Sequence, residues 1–181
     1  MKYAQISPFE ICNGKGIGIS LYVQGCHFHC KGCFNSEAWD FDGGKEWTSE
    51  IKGTFLKLIM NPHIKRVTIL GGEPLADENV EDVLNILIEI RELFKNEKKI
   101  WLYTGYTWDS IFYPIVTDDF DFERDQAIDR RKQIAEMCDV VVDGRYMEEL
   151  KDLTLKFVGS SNQRLIDVKE SLNENQVVLY N

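Results

Sequence analysis

The chain has 181 residues, 44% of them hydrophobic, which is enough apolar material for the core of one domain spanning 1–181. Its formal net charge of −9 lacks the basic footprint of a nucleic-acid-binding protein, and no apolar run approaches the roughly 20 residues that cross a bilayer. Residues 1–8 contain no apolar leader segment. We therefore expect a cytoplasmic protein with reduced thiols that binds neither nucleic acid nor membrane.

Strands and helices alternate along the predicted chain. Apolar side chains alternate with small or polar ones at 16–24, which predicts the first strand. Thr48 or Ser49 caps the first helix and Pro62 ends it. Apolar residues at helical spacing predict helices at 50–61, 79–95 and 127–138. Apolar runs predict further strands at 67–70, 100–104, 139–142 and 155–158, with a candidate last strand at 177–180. The acidic segment 118–129 is interpreted as a loop or insertion, either solvated or used for docking.

This alternation predicts an α/β fold with a mainly parallel sheet, whose chemistry lies at the carboxyl ends of the strands. Each of five predicted strands ends at a glycine, which permits a close approach of the backbone to a ligand. These glycines are Gly25, Gly71, Gly105, Gly144 and Gly159. A complete eight-stranded barrel needs about 250 residues, so we expect a partial, open (β/α) barrel.

Three of the five cysteines lie within eight residues of the sequence, directly after the first strand. They are Cys26, Cys30 and Cys33, in the spacing C-x3-C-x2-C. Thiolates this close together favour zinc, copper(I) or an iron–sulfur cluster, and three ligands leave a coordination position open. The remaining two, Cys12 and Cys138, are interpreted as ordinary free thiols, with a role as fourth ligand as the alternative.

The cysteine spacing and the sequence Gly71-Gly72-Glu73-Pro74 after the second strand resemble the radical S-adenosylmethionine (SAM) superfamily. The resemblance implies that Cys26, Cys30 and Cys33 hold a [4Fe–4S] cluster whose fourth iron binds SAM. It also implies that backbone carbonyls of 71–74, with the carboxylate of Glu73, accept hydrogen bonds from the SAM ammonium group. In this family the cluster and SAM perform the chemistry, so no catalytic residue is expected beyond the cluster ligands.

Residues 25–35, 142–146 and 157–164 further resemble the activating proteins of anaerobic ribonucleoside-triphosphate reductase. Many members of the superfamily place an aromatic residue before the last cysteine, where this chain has Gly32. The adenine contact is therefore expected along the backbone of Gly32, Cys33 and Phe34. The resemblance implies an external one-electron donor, such as a flavodoxin-like protein, reductive cleavage of SAM to a 5′-deoxyadenosyl radical, and a glycyl radical on the reductase.

Several alternatives remain open at this point. His27 and His29 flank the cysteines and could make a non-catalytic zinc site, and a plain iron–sulfur module is also conceivable. Within the superfamily, the alternatives are an activator of another glycyl-radical enzyme, such as pyruvate formate-lyase, and a small-molecule enzyme such as a deazaguanine synthase. Asp143 and Arg145 could contact SAM or form a structural salt bridge. The segment 162–164 could face a ligand or partner, or form a polar turn.

Overall fold

In the computed structural model, which describes residues 1–115 and 121–181, a seven-stranded sheet is flanked by helices. The strands are β1 (Lys2–Glu10), β2 (Gly18–Val23), β3 (Lys45–Glu46), β4 (Arg66–Gly71), β5 (Lys99–Tyr103), β6 (Val140–Asp143) and β7 (Arg164–Asp167). The helices are α1 (Ser49–Ile59), α2 (Val80–Phe94), α3 (Trp108–Phe112), α4 (Phe122–Met137) and α5 (Val168–Glu174). Short 3₁₀ turns lie at Ser36–Ala38 and Glu148–Leu150. None of the described helices combines the length and the apolar character needed to span a membrane.

The strands lie in the order β3-β1-β2-β4-β5-β6-β7, and the four central strands β2, β4, β5 and β6 run parallel. One row across this centre joins Leu21, Ile69, Leu102 and Val141, all fully buried. The flanking strands β1, β3 and β7 pair antiparallel. The predicted α/β class and open, parallel-centred sheet are therefore confirmed, while closure toward a partial barrel stays a prediction.

Helical crossovers set the direction of the central strands. Helix α1 connects β2 to β4, and α2 connects β4 to β5, so each strand re-enters the sheet parallel to the previous one. The side chain of Thr48 caps α1 by accepting a hydrogen bond from the N–H of Ile51 at 3.3 Å. Phe55 and Ile59 of α1 are fully buried in the same core as Leu87 of α2. This arrangement brings the carboxyl ends of β2, β4, β5 and β6 to one edge of the sheet.

The strand predicted at 155–158 is wrong. These residues form turns, Phe157 has a φ of +65°, and the last strand is instead β7, antiparallel to β6. The edge of β6 is thus occupied by Arg164–Asp167, and Gly159 does not end a strand. The candidate strand at 177–180 is present only as an isolated bridge between Leu179 and Ile166.

The long strand β1 escaped prediction, because Pro8 argues against a strand and the apolar alternation is weak there. The loop interpretation of the acidic segment is wrong for 122–129, which belongs to α4. There Asp121 caps α4 by accepting from the N–H of Arg124 at 3.1 Å, and the helix begins at Phe122 rather than near 127. Positions 118–120 of that segment lie outside the described residues.

Candidate functional site

The ends of β2 and β4 are hydrogen-bonded directly to each other. The N–H of Gly72 donates to the carbonyl of Val23 at 2.8 Å, and the N–H of Glu73 donates to the carbonyl of Gly25 at 2.7 Å. A Cβ on Gly72 would stand 2.3 Å from the Gly25 oxygen, and one on Gly71, where φ is +113°, would stand 2.7 Å from the Val23 oxygen. Both glycines are therefore needed where these two chain segments cross.

The cysteine loop leaves β2 and is held by backbone and ring contacts. The N–H of Cys26 donates to the carbonyl of Trp39 at 3.0 Å, and the N–H of Cys33 closes a turn onto the carbonyl of Cys30 at 3.1 Å. The ring of His29 stacks on that of Trp39 with centroids 4.8 Å apart. Residues that follow the loop in the sequence therefore fold back onto it and support it.

Six of the nine predicted site residues line one cleft at the carboxyl ends of the parallel strands. Its walls include all three clustered cysteines and the residues at the carboxyl end of β4, here called the β4 exit. These residues are Cys26, Cys30, Cys33, Gly71, Gly72 and Glu73. Thr104 and Gly105 after β5, and Gly144 and Arg145 after β6, complete the wall on the other side. Three of the five predicted strand-end glycines, Gly71, Gly105 and Gly144, line this cleft. Gly25 accepts a hydrogen bond from Glu73 beside it, and Gly159 lines an adjoining cavity.

Burial raises the pKa of the Cys26 thiol, and burial followed by the neighbouring Cys33 raises the pKa of Cys30. The cleft thus favours neutral thiols in the metal-free protein. A metal centre binds thiolates and releases their protons, so its binding here is coupled to pH.

The donor set fits an iron–sulfur cluster. Within 1–115 and 121–181, no three His, Cys, Asp or Glu side chains converge closely enough to hold one metal ion. The three cysteines border a shared cavity instead, and in a cubane cluster each thiolate binds a different iron around such a cavity. Both histidines have other contacts, because His27 pairs with Glu78 at 3.0 Å and His29 stacks on Trp39.

Glu73 is 3% exposed, and three donors converge on its carboxylate. The N–H of Leu75 and the hydroxyl of Thr104 each donate to Oε1 at 2.8 Å, and the N–H of Gly105 donates to Oε2 at 2.7 Å. Burial nevertheless raises the pKa of Glu73 to about 7, against the lowering effect of these three hydrogen bonds. Glu73 therefore ties the β4 exit to the β5 exit, a role that its position after two glycines did not reveal.

Asn79 is a buried residue of the site that sequence reasoning missed. Its amide Nδ2 donates to the carbonyls of Gln24 and Glu73, both at 2.9 Å, and so joins the β2 exit to the β4 exit a second time. The sequence identified it only as the start of a helix. An asparagine shortly after a glycine-rich turn is the sequence signal that could have pointed to this role, because a buried amide needs hydrogen-bond partners.

The other predicted site residues lie around the cleft. Pro74 is buried, Phe34 lines an adjoining cavity together with Cys33, and Gly32 lies against the side chain of Glu148. Cys12 is exposed and lines the same adjoining cavity. Cys138 is buried at the end of α4, where its thiol donates to the carbonyl of Ile134 at 3.1 Å. Cys12 thus shares the adjoining cavity with Cys33, whereas Cys138 lines neither cavity.

Asp143 forms a structural salt bridge, but its partner is Arg164 rather than Arg145. The guanidinium of Arg164 contacts both carboxylate oxygens, and the N–H of Trp108 donates to the same carboxylate at 2.7 Å. Arg145 instead lies over the ring of Phe28, 4.2 Å from its centroid, and lines the cleft. Two residues that are neighbours in the sequence therefore have separate partners.

A second cavity adjoins the cleft and shares part of its wall. Cys33, Asn35, Leu70, Tyr103, Tyr146 and Gln163 line both spaces. The second cavity also has an apolar side, made by Leu153, Leu155, Phe157 and Val158. A ligand bound in the cleft can therefore extend toward the protein surface along this apolar side.

Residues 12–166 match a protein family described as "4Fe-4S single cluster domain". Over 165 residues the chain is 32% identical to the anaerobic ribonucleoside-triphosphate reductase-activating protein of Escherichia coli (strain K12), a match that covers 90% of this chain and 96% of that protein. The protein of the same name from Salmonella typhi is 33% identical over the same shares of both chains. That of Enterobacteria phage T4 is 30% identical, over 91% of this chain and 93% of the relative.

Proposed function

Because the chain belongs to the 4Fe-4S single cluster domain family and to the family of anaerobic ribonucleoside-triphosphate reductase-activating proteins, we propose that it is a radical SAM enzyme that activates such a reductase. The observation that carries the proposal is the meeting of Cys26, Cys30 and Cys33 with the 71–73 backbone in one cleft. A three-cysteine site leaves one iron of a [4Fe–4S] cluster without a protein ligand. The whole chain, 1–181, acts as a single radical SAM domain in this proposal.

The chain's own residues would bind and orient the two cofactors. Cys26, Cys30 and Cys33 would hold the cluster, and the carbonyls of Gly71 and Gly72 would accept from the SAM ammonium group, because the β4 exit faces the same cleft. Glu73 would act by fixing this backbone, since its carboxylate oxygens already accept three hydrogen bonds. Pro74 is proposed to stiffen the same turn.

The remaining contacts follow from the shape of the cavities. The adenine is proposed to lie along the backbone of Gly32, Cys33 and Phe34, where the cleft opens into the adjoining cavity. Phe28 and Trp39 supply aromatic walls that exclude water from the reacting atoms. No general base is needed, because the chemistry is a transfer of an electron and then of a hydrogen atom.

A cluster held by Cys26, Cys30 and Cys33, once reduced by an external one-electron donor such as a flavodoxin-like protein, would supply the electron that cleaves the C5′–S bond of SAM. The products would be methionine and a 5′-deoxyadenosyl radical, which would become 5′-deoxyadenosine by taking a Cα hydrogen atom from a glycine of the reductase. The protein partner is proposed from the names of the relatives. We propose a cytoplasmic location, where such a reductase and a flavodoxin-like donor would both be present.

Anaerobic reconstitution tests the proposal. The protein should bind about four irons per chain and form 5′-deoxyadenosine when reduced with SAM, and C26A, C30A and C33A should each abolish both. C12S and C138S are matched controls that should retain the cluster. One zinc per chain, with no 5′-deoxyadenosine, would contradict the proposal.

The partner is tested by electron paramagnetic resonance after the reduced protein and SAM are mixed with a candidate enzyme. A glycyl doublet should appear on an anaerobic ribonucleoside-triphosphate reductase. A doublet on pyruvate formate-lyase and none on the reductase would assign the chain to the other class of activator.

A further inference from the structure

The segment 144–148, which follows β6, packs on the cysteine loop. The guanidinium carbon of Arg145 lies 4.2 Å from the ring centroid of Phe28, and the ring of Tyr146 meets that of Phe34 edge-on with centroids 5.2 Å apart. Phe28 and Phe34 lie on either side of Cys30 and Cys33 in the sequence. The segment therefore covers the part of the loop that carries the second and third cysteines.

Glu148 continues this contact at Gly32. The Tyr146 hydroxyl donates to the Glu148 carboxylate, and a Cβ on Gly32 would stand 2.1 Å from Glu148 Oε2. Gly32 also has a φ of +74°, which L side chains rarely adopt. The carboxylate thus fills the space that a side chain at position 32 would take.

The polar turn at 160–163 holds the covering segment from its other side. Asn162 Nδ2 donates to the carbonyl of Arg145 at 2.8 Å, and Gln163 Nε2 donates to the carbonyl of Gly144 at 3.0 Å. Gln163 Oε1 accepts from the N–H of Gly159 at 2.9 Å, which fixes the amide itself. These contacts give the turn a structural purpose that the sequence alone left open.

The covering segment adds a positively charged side chain to the cleft. Within the described parts of the chain, no carboxylate pairs with the guanidinium of Arg145, and Asp143 pairs with Arg164 instead. Arg145 lines the cleft together with Cys26, Cys30 and Cys33, and the ring on which it lies belongs to Phe28 of the cysteine loop. The segment therefore carries an unpaired positive charge on the wall of the cavity that the three sulfurs border.

We propose that Asn162 and Gln163 are positioning residues that hold the segment carrying Arg145 against the cysteine loop, and so raise the reduction potential of the iron–sulfur cluster. The inference rests on the proposed function only in assuming that the three cysteines hold a cluster. Adding an electron makes the cluster more negative, and a nearby positive charge or N–H donor stabilises that reduced state. The turn thereby makes the first electron transfer easier.

The test is the midpoint potential of the reconstituted cluster without SAM, followed by electron paramagnetic resonance during a redox titration. N162A and Q163A should each shift the potential to a more negative value. R145Q should lower the potential, whereas R145K, which keeps the positive charge, should stay close to the unaltered protein.

Controls separate this role from a loss of stability. S171A removes a buried hydroxyl that accepts from the N–H of Val178 at 2.9 Å, in α5, and should leave the potential unchanged. The Arg145 side chain is exposed, so R145Q gives a result even if the turn variants fold poorly.

Two results would overturn the proposal. The first is an unchanged potential in R145Q and in every folded turn variant. The second is weaker binding of SAM by R145Q at an unchanged SAM-free potential, which would make Arg145 a SAM ligand instead. A protein that binds a cluster but never cleaves SAM would contradict the proposed function and still allow these potentials to be measured.

Discussion

Glu73 gives the most specific prediction about pH. Its pKa is raised from 4.5 to about 7 by burial, because the protein accommodates the neutral acid better than the carboxylate. The unfolded chain releases this proton near pH 4.5 and the folded chain only near pH 7. The contribution of Glu73 to the free energy of unfolding is therefore greatest below about pH 4.5 and falls as the pH rises to about 7. Above about pH 7 it no longer changes with pH.

The size of the effect follows from the pKa. A tenfold change in proton affinity is worth about 1.4 kcal/mol, so the full contribution of Glu73 is about 3 kcal/mol. For a chain of this length each kcal/mol moves the melting temperature by about 2–4 °C. Most of the change falls between about pH 5 and pH 7.5, so we expect a relative shift of roughly 5–10 °C over that range.

The assay compares thermal unfolding of the cluster-free protein with that of E73Q under anaerobic conditions, so that no metal–thiolate bond adds its own pH dependence. E73Q cannot ionise, so the unaltered protein should lose stability relative to E73Q as the pH rises. E136Q removes the same charge from an exposed position of α4, and its profile should follow that of the unaltered protein. Parallel profiles for E73Q and the unaltered protein would refute the reasoning.

Two substitutions of glycine should act in opposite directions. G72A places a Cβ 2.3 Å from the backbone oxygen of Gly25, so we expect a loss of about 1–3 kcal/mol of stability in denaturant unfolding, together with poor retention of iron. Unchanged stability would mean that the β2 and β4 exits can separate freely. G53A lies in α1, where a Cβ meets nothing within 4 Å, and should stabilise the protein by about 0.5–1 kcal/mol in the same assay. A loss of stability in G53A would contradict the open surroundings of that position.

The parallel centre of the sheet could be predicted because each of its strands is a short apolar run or an apolar alternation, and because helical patterns separate these strands along the chain. Val67 and Ile69 of β4, and Val140 and Val141 of β6, are buried with almost no exposed surface. The strand predicted at 155–158 is equally apolar, but apolar character does not decide which segment obtains the free edge of β6. Arg164–Asp167 pairs with this edge through four residues and through the ion pair between Arg164 and Asp143. These contacts join residues far apart in the sequence, so a local sequence pattern does not reveal them.

The candidate site, like the fold, was predicted only in part. The cysteine spacing identified three sulfurs that do border one cleft, because they follow directly from the exit of one central strand. The partners of Glu73 were not predictable, since Thr104 and Gly105 follow it by 31 and 32 positions and belong to the next strand exit. The family resemblance implied that the Glu73 carboxylate contacts a ligand, whereas in the structure this carboxylate accepts hydrogen bonds that join the β4 exit to the β5 exit.

Gly72 and Gly32 are glycines for different physical reasons. The neighbour of Gly72 is backbone that belongs to another strand exit and cannot move without breaking the hydrogen bond between Glu73 and Gly25. The neighbour of Gly32 is the end of a flexible side chain, Glu148, which can turn away. The loop at Gly32 is therefore covered by Glu148, a side chain from the segment after β6. This makes the cover of the loop dependent on the same segment that carries Arg145.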